Sequence, residues 1–128
     1  MNVVMEYEET EGRKVFDVHE KNLGYDVTSL DVASGELRLI EVKGLAAPTG
    51  TILLTPNERR VAEDRRDCYW LYVVTGCADQ PRLMEPIRDP ARFEWNEVKK
   101  VAHYYMKVAE MTRPMPMLDG GPASGGTS

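Results

Sequence analysis

Three features of this 128-residue chain predict an α/β (α+β) domain. A strongly capped helix start lies at Thr55-Pro56-Asn57-Glu58, and a hairpin pattern spans residues 25–44. The most apolar run of the chain, Cys68 to Thr75, then follows the helix as a central strand. Hydrophobic residues make up 42% of the chain, enough to bury a core within one domain of this length. Charged residues make up 29% and no apolar run approaches membrane-spanning length, which is the composition of a soluble, ordered domain.

Asn2 to Glu11 puts Val3, Val4 and Tyr7 at i, i+1 and i+4, the spacing of one helix face. This helix starts without a cap signal, so the chain is expected to be excised from a larger protein, with Met1 replacing upstream sequence. Gly12-Arg13 ends it. Arg13 to Gly24 reads as a connection with a brief apolar patch at Val15-Phe16. His19 reads as a solvated loop residue, because nothing stands at a metal-binding spacing from it.

Tyr25 to Asp31 alternates as a half-buried strand, and Ala33-Ser34-Gly35-Glu36 supplies a tight turn into Leu37–Gly44. Leu45 to Gly50 is a loop, and Thr51 to Leu54 reads as a third short strand. The next helix runs to about Arg66, with Thr55 as N-cap, Pro56 at N1 and Glu58 at N3 reaching back to the cap amide. That gives Glu58 a structural reason to be there rather than a catalytic one. Arg59, Arg60, Arg65 and Arg66 are offset by Glu63, Asp64 and Asp67, so the helix reads as a charge-balanced, solvated face. After the apolar strand come a turn at residues 76–81 and a short strand from Arg82 to Ile87 before the Asp89-Pro90 break. His103 to Ala109 alternates as a last strand, with a helix from Trp95 as the other reading. From Arg113 the chain is Pro, Met, Gly and Ser. The expectation is one domain over 1–112 and a disordered tail over 113–128.

Composition narrows the functional classes. The cysteines, Cys68 and Cys77, flank one apolar run, and His19 and His103 are remote from them. That excludes a spaced zinc framework and points to a reducing, cytoplasmic setting. A net charge of −5 counts against a free-standing, non-specific nucleic-acid binder, but allows a local basic patch or delivery by a neighbouring domain.

The chemistry concentrates in Leu-Arg-Leu-Ile-Glu-Val-Lys-Gly, residues 37–44. Residues at i and i+2 share a strand face, so Glu41 and Lys43 are expected to point one way, with Arg38 beside them, and Ile40 and Val42 the other. Charges in so apolar a strand are costly unless they pair, hydrate or bind something. The tripeptide alone fits an ordinary surface ion pair; the other reading is a catalytic Glu-x-Lys strand. The hairpin supports the second. It brings Asp26, near the start of one arm, beside Glu41, near the end of the other. Two carboxylates repel unless a cation lies between them or one is protonated. Oxygen ligands of this kind suit Mg²⁺ or Mn²⁺.

The element order, with Asp26 fifteen residues before Glu41, resembles the PD-(D/E)XK nuclease superfamily. More specifically, the chain is similar to the family named for the plant NO VEIN protein's C-terminal domain, a domain of unknown function. The matching residues are Gly24-Tyr25-Asp26-Val27, Ile40-Glu41-Val42-Lys43-Gly44, Leu54-Thr55-Pro56-Asn57-Glu58, Tyr69–Val74 and Asp89-Pro90. This combination is far more specific than Glu-x-Lys alone and favours the catalytic reading. The resemblance implies a central mixed β-sheet flanked by helices, with a restriction-endonuclease-like core. It implies Asp26, Glu41 and Lys43 as the catalytic set. Mg²⁺ or Mn²⁺ would be held by Asp26, Glu41 and the Val42 backbone carbonyl, with Glu8 as a further acidic position. The implied partners are nucleic acid, DNA above RNA, and upstream domains of a helicase-like or defence protein. Gly24-Tyr25 precedes Asp26 where the superfamily's name has Pro, a substitution common among restriction-enzyme-type relatives. The activity expected is metal-dependent phosphodiester hydrolysis. The alternatives are a catalytically silent DNA- or protein-binding module of the same fold, and a plain α/β domain in which Asp26, Glu41 and Lys43 form a structural ion cluster.

Overall fold

Two parallel strands form the centre of the sheet. The computed structural model describes residues 1–99 and 103–116. Residues Met1–Trp95 form one compact unit and Asn96–Ser128 a second. In the first unit the elements run α1 (Asn2–Thr10), β1 (Lys14–Asp17), β2 (Val27–Leu30), β3 (Leu37–Gly44), α2 (Pro56–Arg65), β4 (Tyr69–Thr75), β5 (Arg82–Leu83) and β6 (Ile87–Arg88). The sheet order is β1-β2-β3-β4-β5, with β6 also pairing β4. β3 pairs β4 in parallel, from Leu39 opposite Tyr69 to Gly44 opposite Val74. The other pairings are antiparallel, so the fold is a mixed α+β sheet. The β2–β3 hairpin forms as expected, with Val27 opposite Ile40 and Leu30 opposite Leu37.

Alternation along β3 and β4 sends side chains to two layers. On one face Val4 of α1 packs with Val27, Ile40, Tyr72 and Val74. On the other, Ala62 of α2 packs with Leu39 and Tyr69. α2 begins with the predicted capping box: the Thr55 hydroxyl accepts the Glu58 N–H at 3.1 Å, and Glu58 Oε1 accepts the Thr55 N–H at 2.9 Å.

Four expectations need correcting. Val15-Phe16 belongs to an edge strand rather than a connection; β1 pairs β2 along its whole length, and Phe16 points largely into solvent, so its apolar signal was weak. Thr51–Leu54 forms no strand, because both edges of β3 and of β4 are already paired. Its alternation is real all the same, with Ile52 and Leu54 half-buried and Thr51 and Leu53 exposed. The expected strand over Arg82–Ile87 is two short pieces, split at Pro86, which has no N–H to give a ladder. In the second unit the expected last strand over His103–Ala109, or helix from Trp95, is instead one helical turn, α3, at Val108–Met111. Tyr104, Met106 and Val108 are all exposed, so their alternation buries nothing. Residues 100–102 and 117–128, which include most of the expected tail, lie outside the described residues.

α1 docks through a buried ionic group. Glu8 is fully buried, and its Oε2 accepts from the Tyr72 hydroxyl at 2.6 Å and from Arg13 at 2.9 Å. Arg38 also donates to the Tyr72 hydroxyl, at 2.8 Å, and lies 3.8 Å over the Trp70 ring. Arg38 thus sits on the Ile40–Val42 side of β3, not on the charged face expected for it. Position 38 shares the parity of 40 and 42, and a strand's geometry overrides the clustering of charges in sequence.

Two predictions follow from this packing. Gly24 has φ +89°, and a Cβ there would lie 2.7 Å from Val61 Cγ2, while Gly35 (φ +75°) has nothing within 4 Å. Gly24→Ala should therefore cost about 2–3 kcal/mol in urea unfolding and Gly35→Ala only about 1 kcal/mol. Glu8→Ala strands Arg13 and the Tyr72–Arg38 pair in a dry layer, and should cost about 3–5 kcal/mol by the same measurement.

Candidate functional site

The hairpin and the parallel pair converge on Glu41. Val27 faces Ile40 across the ladder, so Asp26, one residue earlier, takes the Glu41 side of the sheet. The Asp26 backbone ties three strands together. Its N–H donates to the Ile40 carbonyl at 2.8 Å, and its carbonyl accepts from Val18 at 2.8 Å. Its carboxylate then turns onto β3, where Oδ2 accepts the Val42 N–H at 2.9 Å. Asp26 thus caps the backbone at the residue between Glu41 and Lys43.

Glu41 is 2% exposed, and its Oε1 is buried without a hydrogen-bond partner. Its Oε2 lies 3.2 Å from Lys43 Nζ. Burial pushes the Glu41 carboxyl up to about 8, and the charges of Asp26 and Glu58 push the same way; the Lys43 ammonium opposes them without prevailing. An orphaned carboxylate oxygen in a dry site is costly. Burial also disfavours the Lys43 ammonium. Its hydrogen bond to Glu58 Oε1 at 2.8 Å and the charges of Glu41 and Glu58 outweigh that, and hold its pKa above the usual value. Glu58 shows the converse balance: burial raises its carboxyl, while its bonds to Lys43 and to the Thr55 amide bring it below the usual value.

The structure therefore brings the Asp26, Glu41 and Lys43 side chains together on the α2 side of the sheet, with the Val42 backbone between the last two and the Val42 side chain on the α1 side. It does not bring Glu8 there. Glu8 lies on the opposite face, where Tyr72 and Arg13 both donate to its Oε2 and its Oε1 has no partner. A match in element order misplaced it, because α1 and α2 cover different faces. Glu58 was missed as a member of the site. Its capping spacing was legible, but nothing in sequence told where the start of α2 would dock.

Among the described residues, no three His, Cys, Asp or Glu side chains are arranged to hold a metal ion. The donors expected for a cation here are two carboxylates, Asp26 and Glu41, and the Val42 carbonyl. Mg²⁺ keeps several waters and is commonly held by one or two carboxylates, so a set of this size fits it. Glu41 Oε1 is unpartnered, as is Glu8 Oε1 on the other face; what favours a cation at this spot is that Asp26 and Glu58 crowd the Glu41 carboxylate, where arginines surround Glu8.

The rest of the described surface has other features. A cleft of about 210 Å³ beside α2 is lined by residues that include Arg59, Arg66, Phe93 and Trp95. Arg59 is paired with Glu63 and Arg66 with Asp89. Among the described residues no helix is long and apolar enough to cross a membrane.

A search of the curated proteins and a search of the solved structures gave no match. The family described as "Protein NO VEIN, C-terminal" matches residues 1–86, a span that holds Asp26, Glu41, Val42, Lys43 and Glu58. On that match, which covers two thirds of its length, this chain belongs to the Protein NO VEIN C-terminal family.

Proposed function

We propose that this chain is a metal-dependent nuclease domain of PD-(D/E)XK type, hydrolysing phosphodiester bonds in nucleic acid, DNA above RNA. It would act as the C-terminal part of a larger helicase-like or defence protein. The observation that supports this most is the Glu41 carboxylate: buried, one oxygen unpartnered, with Asp26 beside it and Lys43 Nζ 3.2 Å away. The structural cluster around Glu8 surrounds its acid with arginines, whereas Glu41 has two acids among its neighbours.

Asp26, Glu41 and the Val42 carbonyl would hold Mg²⁺ or Mn²⁺. The bound ion would polarise the scissile phosphate and acidify a water. Lys43 shares the Glu41 face, and its ammonium is charged at neutral pH. It would orient the attacking water and offset charge developing on the phosphate. Glu41 would enter the complex as a carboxylate, so binding a cation would release the proton that its raised pKa retains near neutrality. A second reading, a catalytically silent DNA- or protein-binding module, is favoured by the net charge of −5 and by the charge pairing along α2.

Three outcomes test this reading. Glu41 has a folded pKa near 8 against 4.5 ordinarily, so its ionisation in the fold costs stability that is progressively lost as pH rises from 4.5 to 8. Without metal, Glu41→Gln should raise the thermal midpoint at pH above 8 and leave it little changed below 4.5. Adding Mn²⁺ should raise the wild-type midpoint, more at pH 8 than at about pH 6, and leave Glu41→Gln unmoved. Incubated with Mg²⁺ and labelled duplex or single-stranded DNA, the wild type should cleave. Lys43→Ala should cleave at least about a hundredfold more slowly. Full Mg²⁺-dependent cleavage by Lys43→Ala would sink the assignment. Stabilisation by Mn²⁺ without cleavage would leave the silent module standing.

A further inference from the structure

We propose that Glu58 is the positioning residue of this centre: its Oε1 holds the Lys43 ammonium over Glu41, and the same oxygen caps α2. The inference rests on the reading of Lys43 as a functional group, and adds to it the group that aims that side chain.

A lysine at the end of a strand has four rotatable bonds and no intrinsic reason to lie along the sheet. Lys43 is nevertheless fixed at two points, Glu58 Oε1 at 2.8 Å and Glu41 Oε2 at 3.2 Å. The shorter contact comes from the helix and not from the strand. Glu58 cannot drift, because its Oε1 also accepts the Thr55 N–H at 2.9 Å while its own N–H donates to the Thr55 hydroxyl. Pro56 at N1 presets the first helical turn. The capping box therefore does two jobs. It starts α2, and it carries a fixed carboxylate oxygen to the end of β3. Glu58 Oε1 accepts two hydrogen bonds and Lys43 is only about one-fifth exposed, so the contact is charge-assisted and partly shielded from water.

The arrangement also answers a chemical problem. Were Lys43 tied to Glu41 alone, it would compete directly with a cation for that carboxylate. A second acceptor on the helix keeps the ammonium charged and near when Glu41 turns to another partner. Glu58 acts through Lys43 and touches no reacting atom in this scheme.

The test separates the two jobs of one side chain. Glu58→Gln is isosteric, and glutamine at N3 still serves a capping box, so the helix start survives while the charge on Lys43's partner is lost. Thr55→Ala does the reverse. The readout is the Lys43 ammonium itself, followed by nitrogen-edited NMR of the lysine Nζ in the metal-free protein, alongside thermal unfolding. The wild type should show a Lys43 ammonium whose protons exchange slowly. In Glu58→Gln that exchange should be about tenfold faster or more, with a smaller fall in thermal midpoint than Thr55→Ala gives. Thr55→Ala should keep the slow signal. A Lys43 ammonium that exchanges in the wild type as fast as an exposed lysine's would overturn the proposal, and so would a slow signal that persists in Glu58→Gln. Neither metal nor nucleic acid enters this experiment, so its failure is distinct from failure of the nuclease reading.

Discussion

Burying Glu41 beside Asp26 is the constraint around which this unit is arranged. Its carboxylate lies in the wall between the sheet and α2, almost out of reach of water, with one oxygen satisfied by Lys43 and the other by nothing. Each neighbouring element contributes to that situation. The parallel β3–β4 pair supplies the dry surroundings, the hairpin brings Asp26 alongside, and the capped start of α2 brings Glu58. The same elements would be simpler to build with a leucine at position 41. A buried, incompletely paired acid is tolerated where something else depends on it.

The two faces of the sheet treat buried carboxylates differently. On the α1 side, Glu8 is gripped by Tyr72 and Arg13, with Arg38 close by and stacked on Trp70. That group docks a helix. On the α2 side, Glu41 has one amine and two acidic neighbours, while each of the two glutamates leaves its Oε1 without a hydrogen-bond partner. The contrast argues that the second arrangement is not a generic way for this fold to pack acids. It also sets Glu8 and Glu41, both buried glutamates, in opposite electrostatic surroundings.

Much of this was legible in the residues, and the failures have physical reasons. The span of β3, the hairpin and the capping box of α2 were readable because each depends on local chemistry: period-two alternation, a tight turn, and a Thr-Pro-x-Glu start. The Asp26–Glu41 approach was readable because a hairpin's register fixes which ends meet. What local pattern does not determine is partnership between elements. Thr51–Leu54 alternates like a strand, yet β3 and β4, the strands that flank it in the chain, are paired on both edges. Val15-Phe16 looked like a connection because an outer strand buries little. Glu58 carried its capping signal openly, while its second role depended on where the helix came to rest. Arg38 was misassigned by grouping charges together rather than counting alternate residues.

The central claim is that Asp26, Glu41 and the Val42 carbonyl form a cation site. Anomalous diffraction from crystals soaked in Mn²⁺ addresses it most directly. The account predicts one strong peak in contact with both carboxylates, with the Lys43 ammonium withdrawn from Glu41 towards Glu58. A map with no peak there, and Lys43 still bridging Glu41 and Glu58, would contradict it.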